Sequence, residues 1–251
     1  MSKVGFIGTG HIAAPVARFL HRKGHEVTVT TRSAHVSSAL ARDYGIAVAD
    51  GPGVLDTSDI ICLCVRPQHA EEVLAGLPWR ADHRIISVMA GVSRRDLERL
   101  CAPASTFVQT IPLGFLEQGG CPLAAFGDDG LLAELFAPDN PVVPVASEDA
   151  LNAHFAICAM VPGLLDLMAT GADWLAGESG DTANAEFYTA QLVAGFLATL
   201  PRETGALAKE RDALATAGTL SLQMTDGLKA GGAHDALAQT LDAIGERLRP
   251  A

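Results

Sequence analysis

The first part of the chain alternates short apolar runs with segments of helical periodicity. The apolar runs predict strands over residues 4–8, 25–31, 46–49, 59–65, 84–89, 106–110, 122–126 and 142–145. Helices are predicted between them, over residues 12–22, 36–44, 69–77 and 94–100. The run 59–65 is apolar almost throughout, which indicates a strand buried on both faces. This alternation predicts parallel βαβ units with right-handed crossovers.

The pattern changes at Ser147, which is followed by Glu148 and Asp149. A capping hydroxyl with acids behind it is a typical helix N-terminus. From there the periodicity predicts helices over residues 148–176, 182–199, 202–215, 219–230 and 234–248, and no strand. We therefore expect an α/β class with two domains. Residues 1–146 form a Rossmann domain with a doubly wound, mostly parallel sheet, and residues 147–251 form an all-helical domain.

The composition restricts the possible partners and the location. The 251 residues carry a formal net charge of −11, which disfavours nucleic acids and anionic membranes as partners. The longest apolar stretches are interrupted by Gly, Pro or His, and we expect them to fall short of a membrane span. No secretory signal pattern precedes the strand at Val4, so a cytoplasmic location is expected.

Metal chemistry is not expected. The chain has five cysteines, and Cys62 and Cys64 share one face of a predicted strand, which is compatible with a metal or a disulfide. The favoured interpretation is that both cysteines are small core residues of a protein in a reducing compartment. The histidines show no ligand-like spacing, so we predict no metal.

The strongest motif is the pattern G-x-G-x-x-A at the end of the first predicted strand. It comprises Gly8, Thr9, Gly10, His11, Ile12 and Ala13. The first Gly allows a tight turn, the second lets the backbone approach a pyrophosphate, and the Ala lets the helix pack on the sheet. These six residues are therefore predicted to bind a dinucleotide at the helix N-terminus. A Rossmann scaffold that has lost its ligand is the alternative.

The end of the second predicted strand indicates which nicotinamide cofactor is bound. An NAD enzyme usually places an acid there to bind the ribose 2′-hydroxyl, but this chain has Thr31, Arg32 and Ser33. A guanidinium and two hydroxyls suit a 2′-phosphate, so these three residues are predicted to select NADP(H). The alternative is that Arg32 is a solvated loop residue.

Several stretches, in the right order, resemble the pyrroline-5-carboxylate reductase family. They are Gly5 to Ala13, Val65-Arg66-Pro67-Gln68, Ile86 to Ser93 and Gly227-Leu228-Lys229. The resemblance implies a Rossmann domain, a helical dimerisation domain and hydride transfer from NAD(P)H to a cyclic imine. It also implies that Val65, Arg66 and Pro67 line the cofactor and that Ala90 and Gly91 lie near the nicotinamide.

The substrate-side motifs of that family are altered. Its M-P-N-T-P stretch appears as Ile111-Pro112-Leu113, without the Asn, and its S-P-G-G-T-T loop meets residues 216–225, where the paired Gly and paired Thr are absent. We therefore expect a small cyclic imine or a related C=N or C=O compound as the substrate. The function predicted is that of an NADP(H)-dependent oxidoreductase.

The catalytic group is not identified by the sequence. His11 in the glycine loop is a candidate proton donor, and the alternative is that it only shields the phosphates. His154, one helical turn from Cys158, is a second candidate, and a buried structural histidine is the favoured interpretation. Thr225 lies where the family has its substrate loop and is the third candidate, unless it is a surface residue.

Two further expectations concern assembly and competing functions. The apolar, Ala- and Leu-rich C-terminal helices predict a homodimer through that domain. The alternatives are a non-catalytic NADP(H)-sensing protein, a β-hydroxyacid dehydrogenase and a deazaflavin-linked oxidoreductase. The four lysines do not fit the G-x-x-x-N-x-x-K helix of the β-hydroxyacid dehydrogenases, which counts against that class.

Overall fold

The computed structural model describes residues 1–31 and 33–249, which form two compact units. The first unit comprises Met1–Phe155 together with the residues from Leu248, and the second comprises Ala156–Arg247. Helices replace strands from Glu148 onward. The domain boundary expected between residues 146 and 147 falls inside the first unit and stays a prediction.

The first unit is built on one eight-stranded sheet in the order β3-β2-β1-β4-β5-β6-β7-β8. The strands are β1 (Lys3–Ile7), β2 (Glu26–Thr30), β3 (Ala47–Ala49), β4 (Ile60–Leu63), β5 (Arg84–Ser87), β6 (Thr106–Thr110), β7 (Leu123–Gly127) and β8 (Val142–Pro144). The six neighbouring strands β3, β2, β1, β4, β5 and β6 are parallel to one another. β7 is antiparallel to β6, and β8 is parallel to β7. The predicted doubly wound, mostly parallel Rossmann sheet is confirmed.

Helices cover both faces of this sheet. They are α1 (Ala13–Arg22), α2 (Ala34–Tyr44), α3 (Gly51–Thr57), α4 (Ala70–Leu74), α5 (Arg94–Leu100), α6 (Asp129–Phe136) and the beginning of α7 (Glu148–Cys158), with short 3-10 helices at Pro67–His69 and Gly114–Gln118. Because side chains alternate along a strand, neighbouring residues enter different cores. Phe6 packs with α1 in one apolar cluster, whereas Ile7 joins the cluster on the opposite face.

The second unit contains only helices within the part of the chain that the structure describes. They are α8 (Met160–Ser179), α9 (Thr182–Thr199), α10 (Ala206–Leu214), α11 (Leu220–Ala230) and α12 (Ala233–Leu248). The single helix predicted over 148–176 is wrong, because the chain breaks at Ala159 into α7 and α8. α10 begins later than predicted because Gly205 has a left-handed conformation, with φ of 84°.

One helical run departs from the expectation about membranes. By length and composition, Glu148–Ser179 could span a bilayer. Only 11% of its most apolar 18-residue stretch is buried within the structure. The expectation that every apolar stretch falls short of a span was therefore wrong for this run.

Candidate functional site

A cleft lies where the direction of the chain through the sheet reverses. β1 lies between β2 and β4, so the chain leaves β1 toward one edge and leaves β4 toward the other. The carboxyl ends of parallel strands form a ligand-binding crevice at such a point. The cleft here has a volume of about 660 Å³ and is lined by residues 8–12, 64–67 and 88–90 together with Ser33, Val36 and His69.

Gly8 makes the tight turn at the floor of this cleft. Its φ is +93°, a left-handed value that favours glycine. A Cβ added to Gly8 would lie 2.7 Å from the carbonyl oxygen of Cys64, which is closer than atoms can approach without a backbone shift. The neighbouring amide of Cys64 donates to the carbonyl of Ile7 at 2.8 Å and holds β4 against this turn.

Gly10 and the start of α1 provide the features that an anion requires. A Cβ at Gly10 would meet no atom within 4 Å, so this position leaves open space on the cleft side. The amide of Ala14 donates to the carbonyl of Gly10 at 3.0 Å, and Ile12 at the N-cap position offers no side-chain acceptor. The first N–H groups of α1 therefore stay available for a ligand. Ala13 is fully buried against the sheet, the packing role expected of it.

Thr30, which the sequence did not single out, connects the glycine turn with the end of β2. Its hydroxyl accepts a hydrogen bond from the Gly8 amide at 2.9 Å. The Thr9 hydroxyl donates in turn to the Thr30 carbonyl at 2.7 Å. Both threonines are buried. The Thr9 side chain is thus engaged with β2, which leaves its backbone to face a ligand in the cleft.

The segment after β2 was predicted to bind the ribose phosphate. Ser33 lines the cleft and occupies the N-cap position of α2, where its side chain makes no capping hydrogen bond. No acidic residue lies in the first turn of α2. Thr31 is exposed. Arg32 lies outside the described residues.

The opposite wall of the cleft comes from the ends of β4 and β5. Val65 is buried, Arg66 and Pro67 are exposed, and Ala90 lines the cleft, whereas Gly91 lines a smaller neighbouring cavity. Burial raises the pKa of the Cys64 thiol to about 12, so this cleft residue remains a neutral thiol. The sequence placed Cys64 in a core and missed its position at the cleft.

The charges around the cleft differ from those of the whole chain. The formal net charge of the protein is −11. Among the described residues that line the cleft, none is an Asp or Glu, whereas His11, Arg66 and His69 all contribute to its walls. A wall without carboxylates suits an anionic ligand.

The three candidate catalytic residues lie in different places. His11 is exposed and lines the cleft. His154 lies on α7 with its Nδ1 atom 2.7 Å from the carbonyl oxygen of Ala150, and it is not among the residues that line the cleft. Thr225 lies on α11 of the second unit and donates to the carbonyl of Leu222 at 2.9 Å. Of the three, the structure therefore places only His11 in the cleft. Within the described ranges, no group of three or more His, Cys, Asp or Glu side chains is arranged to hold a metal ion.

Comparisons with known proteins give consistent matches. A family model described as "NADP oxidoreductase coenzyme F420-dependent" matches residues 3–91. The pyrroline-5-carboxylate reductase of Aquifex aeolicus (strain VF5) is 31% identical over 136 residues, which cover 53% of this chain and 50% of that protein. The chain thus matches about half the length of this curated relative.

Solved structures match over nearly the whole chain. The 1-pyrroline-5-carboxylate reductase of Streptococcus pyogenes has a TM-score of 0.86 at 19% identity, covering 99% of this chain and 98% of its own. The Plasmodium falciparum pyrroline carboxylate reductase with NADP bound has a TM-score of 0.83 at 16% identity, covering 99% and 97%. A reductive aminase from Aspergillus terreus in complex with NADPH and ethyl levulinate has a TM-score of 0.64 at 18% identity, covering 98% and 92%.

The fold and the glycine-loop cleft define a class, that of Rossmann-fold proteins that carry a C-terminal helical unit. Within this class, the sequence and structure matches include several pyrroline-5-carboxylate reductases, to which the chain is similar. The family resemblance indicated by the motifs is confirmed.

Proposed function

We propose that this protein is an NADP(H)-dependent oxidoreductase that transfers hydride to a small cyclic imine or a related C=N or C=O compound. The observation that carries the proposal is the cleft at the reversal point of the sheet. Its glycine turn excludes a Cβ at Gly8, and the first turn of α1 lacks a side-chain cap. Relatives that are pyrroline-5-carboxylate reductases support the class of reaction.

Each part of the cleft has a role in this proposal. The N–H groups that follow Gly10 bind the pyrophosphate, and the open space at Gly10 lets the backbone approach it. Val65, Arg66 and Pro67 line one side of the dinucleotide, and Ala90 and Gly91 lie near the nicotinamide. When bound, the nicotinamide supplies the hydride, and the protein contributes position and electrostatics. His11 is the candidate in the cleft for supplying a proton.

The preference for NADP(H) rests on the segment that follows β2. Ser33 and the uncapped, acid-free first turn of α2 suit a 2′-phosphate, and Arg32 is the cation in this segment. The NADP in the P. falciparum structure and the NADPH in the A. terreus structure are in line with this preference.

The test is a titration with NADPH and NADH followed by an assay of NADPH oxidation. The substrate panel contains cyclic imines with and without a carboxylate, 2-oxo acids and an oxidised deazaflavin. We expect micromolar binding of NADPH and turnover of at least one imine. Tight binding without turnover of any compound would instead favour an NADP(H)-sensing protein, and no binding at millimolar NADPH would refute the proposal.

The oligomeric state and the cellular location are also part of the proposal. We propose a homodimer through the C-terminal helices, because large apolar side chains of the second unit are exposed in the single chain. A cytoplasmic location without membrane or nucleic-acid partners accords with the net charge of −11.

A further inference from the structure

The loop between β5 and α5 is held by a side chain from the neighbouring strand. Gln109, near the end of β6, is 4% exposed. Its Nε2 atom donates to the carbonyl oxygen of Val92 at 2.9 Å. Val92 follows Ala90, which lines the cleft, and Gly91. Gln109 therefore supports this loop through the backbone of Val92.

A second contact holds the same loop at its other end. Glu148, in the first turn of α7, accepts a hydrogen bond from the backbone amide of Arg94 at 2.6 Å. That amide belongs to the first residue of α5, where N–H groups have no partner within the helix. Residues 92–94 are thus held by one side chain from β6 and one from α7.

The remaining polar atom of Gln109 has an unusual environment. Its Oε1 atom is buried and meets no hydrogen-bond donor within residues 1–31 and 33–249. A buried acceptor without a partner is costly, and ordered water commonly supplies the missing bond. The oxygen cannot exchange places with Nε2, because the Val92 carbonyl requires a donor.

Gln109 also lines a small cavity. It has a volume of about 10 Å³, and Gly91, Gln109, Glu148 and Asn152 are among its lining residues. Such a volume is close to what one water molecule requires, and a buried water needs two to four polar partners. A carboxylate, two side-chain amides and the loop backbone supply that number.

We propose that this cavity is a binding site for one water molecule that bridges Gln109 Oε1 to the first turns of α7. Gln109 and this water form a polar support beneath the loop 90–93, and Gln109 is a positioning residue for the nicotinamide side of the cleft. The positioning role rests on the proposed function, whereas the water site and the support of the loop do not.

The first test concerns the loop and needs no cofactor. In Gln109→Met the side chain keeps its length but loses its donor and its acceptor. We expect the amide of Arg94 to exchange its hydrogen about tenfold faster than in the wild type, because the loop opens more readily. The matched control is Thr106→Val at the other end of β6, which should leave that exchange rate unchanged. Equal exchange in Gln109→Met and the wild type would overturn the support of the loop.

The second test is a crystal structure of the wild-type protein at a resolution that shows ordered water. One water within hydrogen-bond distance of Gln109 Oε1 is expected, and an empty cavity would overturn the water site.

The third test compares the kinetics of the Gln109→Met variant with those of the wild type. Gln109→Met should lower kcat about tenfold and leave the Kd for NADPH within about threefold, because most binding contacts lie elsewhere in the cleft.

The outcomes separate this inference from the proposed function. An unchanged kcat in a folded Gln109→Met protein would overturn the positioning role. If the wild type binds no NADPH, the proposed function fails and the positioning role fails with it. In that case the exchange rates and the crystal structure still decide the water site and the support of the loop.

Discussion

We propose that the choice between NADP(H) and NAD(H) depends on Arg32. The change Arg32→Asp places a carboxylate where the sequence predicts a contact with the 2′-phosphate. We expect the affinity for NADPH to fall by about 100-fold, because a charge-assisted contact is replaced by repulsion. NADH affinity should stay the same or rise, because the new carboxylate can accept a hydrogen bond from the ribose 2′-hydroxyl. Isothermal titration of both cofactors checks this, and an unaltered ratio of the two affinities would refute the assignment.

Thr30 is the residue that ties the glycine turn to the end of β2. In Thr30→Val, the Gly8 amide loses its acceptor while the shape of the side chain is kept. An unpartnered buried group costs about 1–3 kcal/mol, so we expect NADPH to bind about tenfold more weakly as the turn shifts. Thr30→Ser, which keeps the hydroxyl, should restore binding, and titration calorimetry measures both variants.

Thr28→Val provides the matched control, because Thr28 lies on the same strand and the same face, two residues away. It should leave NADPH affinity at the wild-type value. If Thr30→Val binds NADPH as tightly as Thr28→Val does, the Thr30 hydroxyl has no role in shaping the cleft.

His83 makes the stability of the first unit depend on pH. It is fully buried, with Nδ1 accepting from the Arg80 amide at 3.0 Å and Nε2 at 3.1 Å from the Leu55 carbonyl. Burial lowers its pKa below the ordinary value of 6.5. The unfolded chain therefore binds the proton first as the pH falls, so the stabilisation is present above about pH 6.5 and is lost below it.

We accordingly expect the free energy of unfolding to decrease between about pH 7 and pH 5, with part of the slope due to His83. Urea denaturation at several pH values measures the slope. In His83→Gln, which does not titrate, the slope should be smaller although the protein is less stable throughout. Equal slopes in both proteins would contradict the argument.

At the scale of elements, Gly5 explains how α3 packs against the sheet. A Cβ on Gly5 in β1 would lie 2.5 Å from Val54 Cγ1 and 2.7 Å from Ser58 Oγ. Val54 is fully buried and has little freedom to move. Gly5→Ala should therefore destabilise the protein by about 1–3 kcal/mol through overpacking, as measured by urea denaturation.

The matched control for this prediction is Gly163→Ala in α8. A Cβ at Gly163 would meet nothing within 4 Å, so the change should be neutral or stabilise the helix by up to about 1 kcal/mol. A Gly5→Ala protein as stable as the wild type would show that α3 can move away from β1 without cost.

The elements that the sequence did not predict have local causes. α3 has the sequence GPGVLDT, and its Gly and Pro residues are typical of a loop. Pro52 lies in the first turn, where no N–H is needed, and Asp50 caps the helix by accepting from the Gly53 amide at 2.8 Å. α6 was also missed; Asp128 caps it, but it is short and lies between two strands. By contrast, the bounds predicted for α5 and β6 agree with the structure.

The candidate site was predictable only where its residues are close in sequence. The glycine loop was recognised because its spacing alone implies a turn and a helix N-terminus. Thr30 and Cys64 were missed because their roles arise from pairing of β1 with β2 and with β4. Gln109 was missed for the same reason, since its contact with Val92 joins the end of β6 to the loop between β5 and α5.

At the scale of the whole molecule, the exposed apolar surface of the second unit predicts association. Trp174 is 68% exposed, Phe187 67% and Leu167 58% in the single chain. Surfaces of this kind on a monomer mark interaction sites. We expect a dimeric mass by light scattering at micromolar concentration without detergent, and a monomeric mass for a variant with Phe187→Glu and Leu167→Glu. A monomeric wild type would refute the homodimer.

The two outermost strands of the sheet bear on how copies of the chain can meet. β3 and β8 are only three residues long. Because Val145 donates inward to the Ala125 carbonyl at 2.9 Å, the adjacent Pro144 faces outward, and proline has no N–H to offer. Short edge strands, one of which carries a proline, resist pairing with an edge strand of another molecule. Self-association is thereby directed away from β-pairing and toward side-chain packing, which favours a closed assembly over a growing fibre.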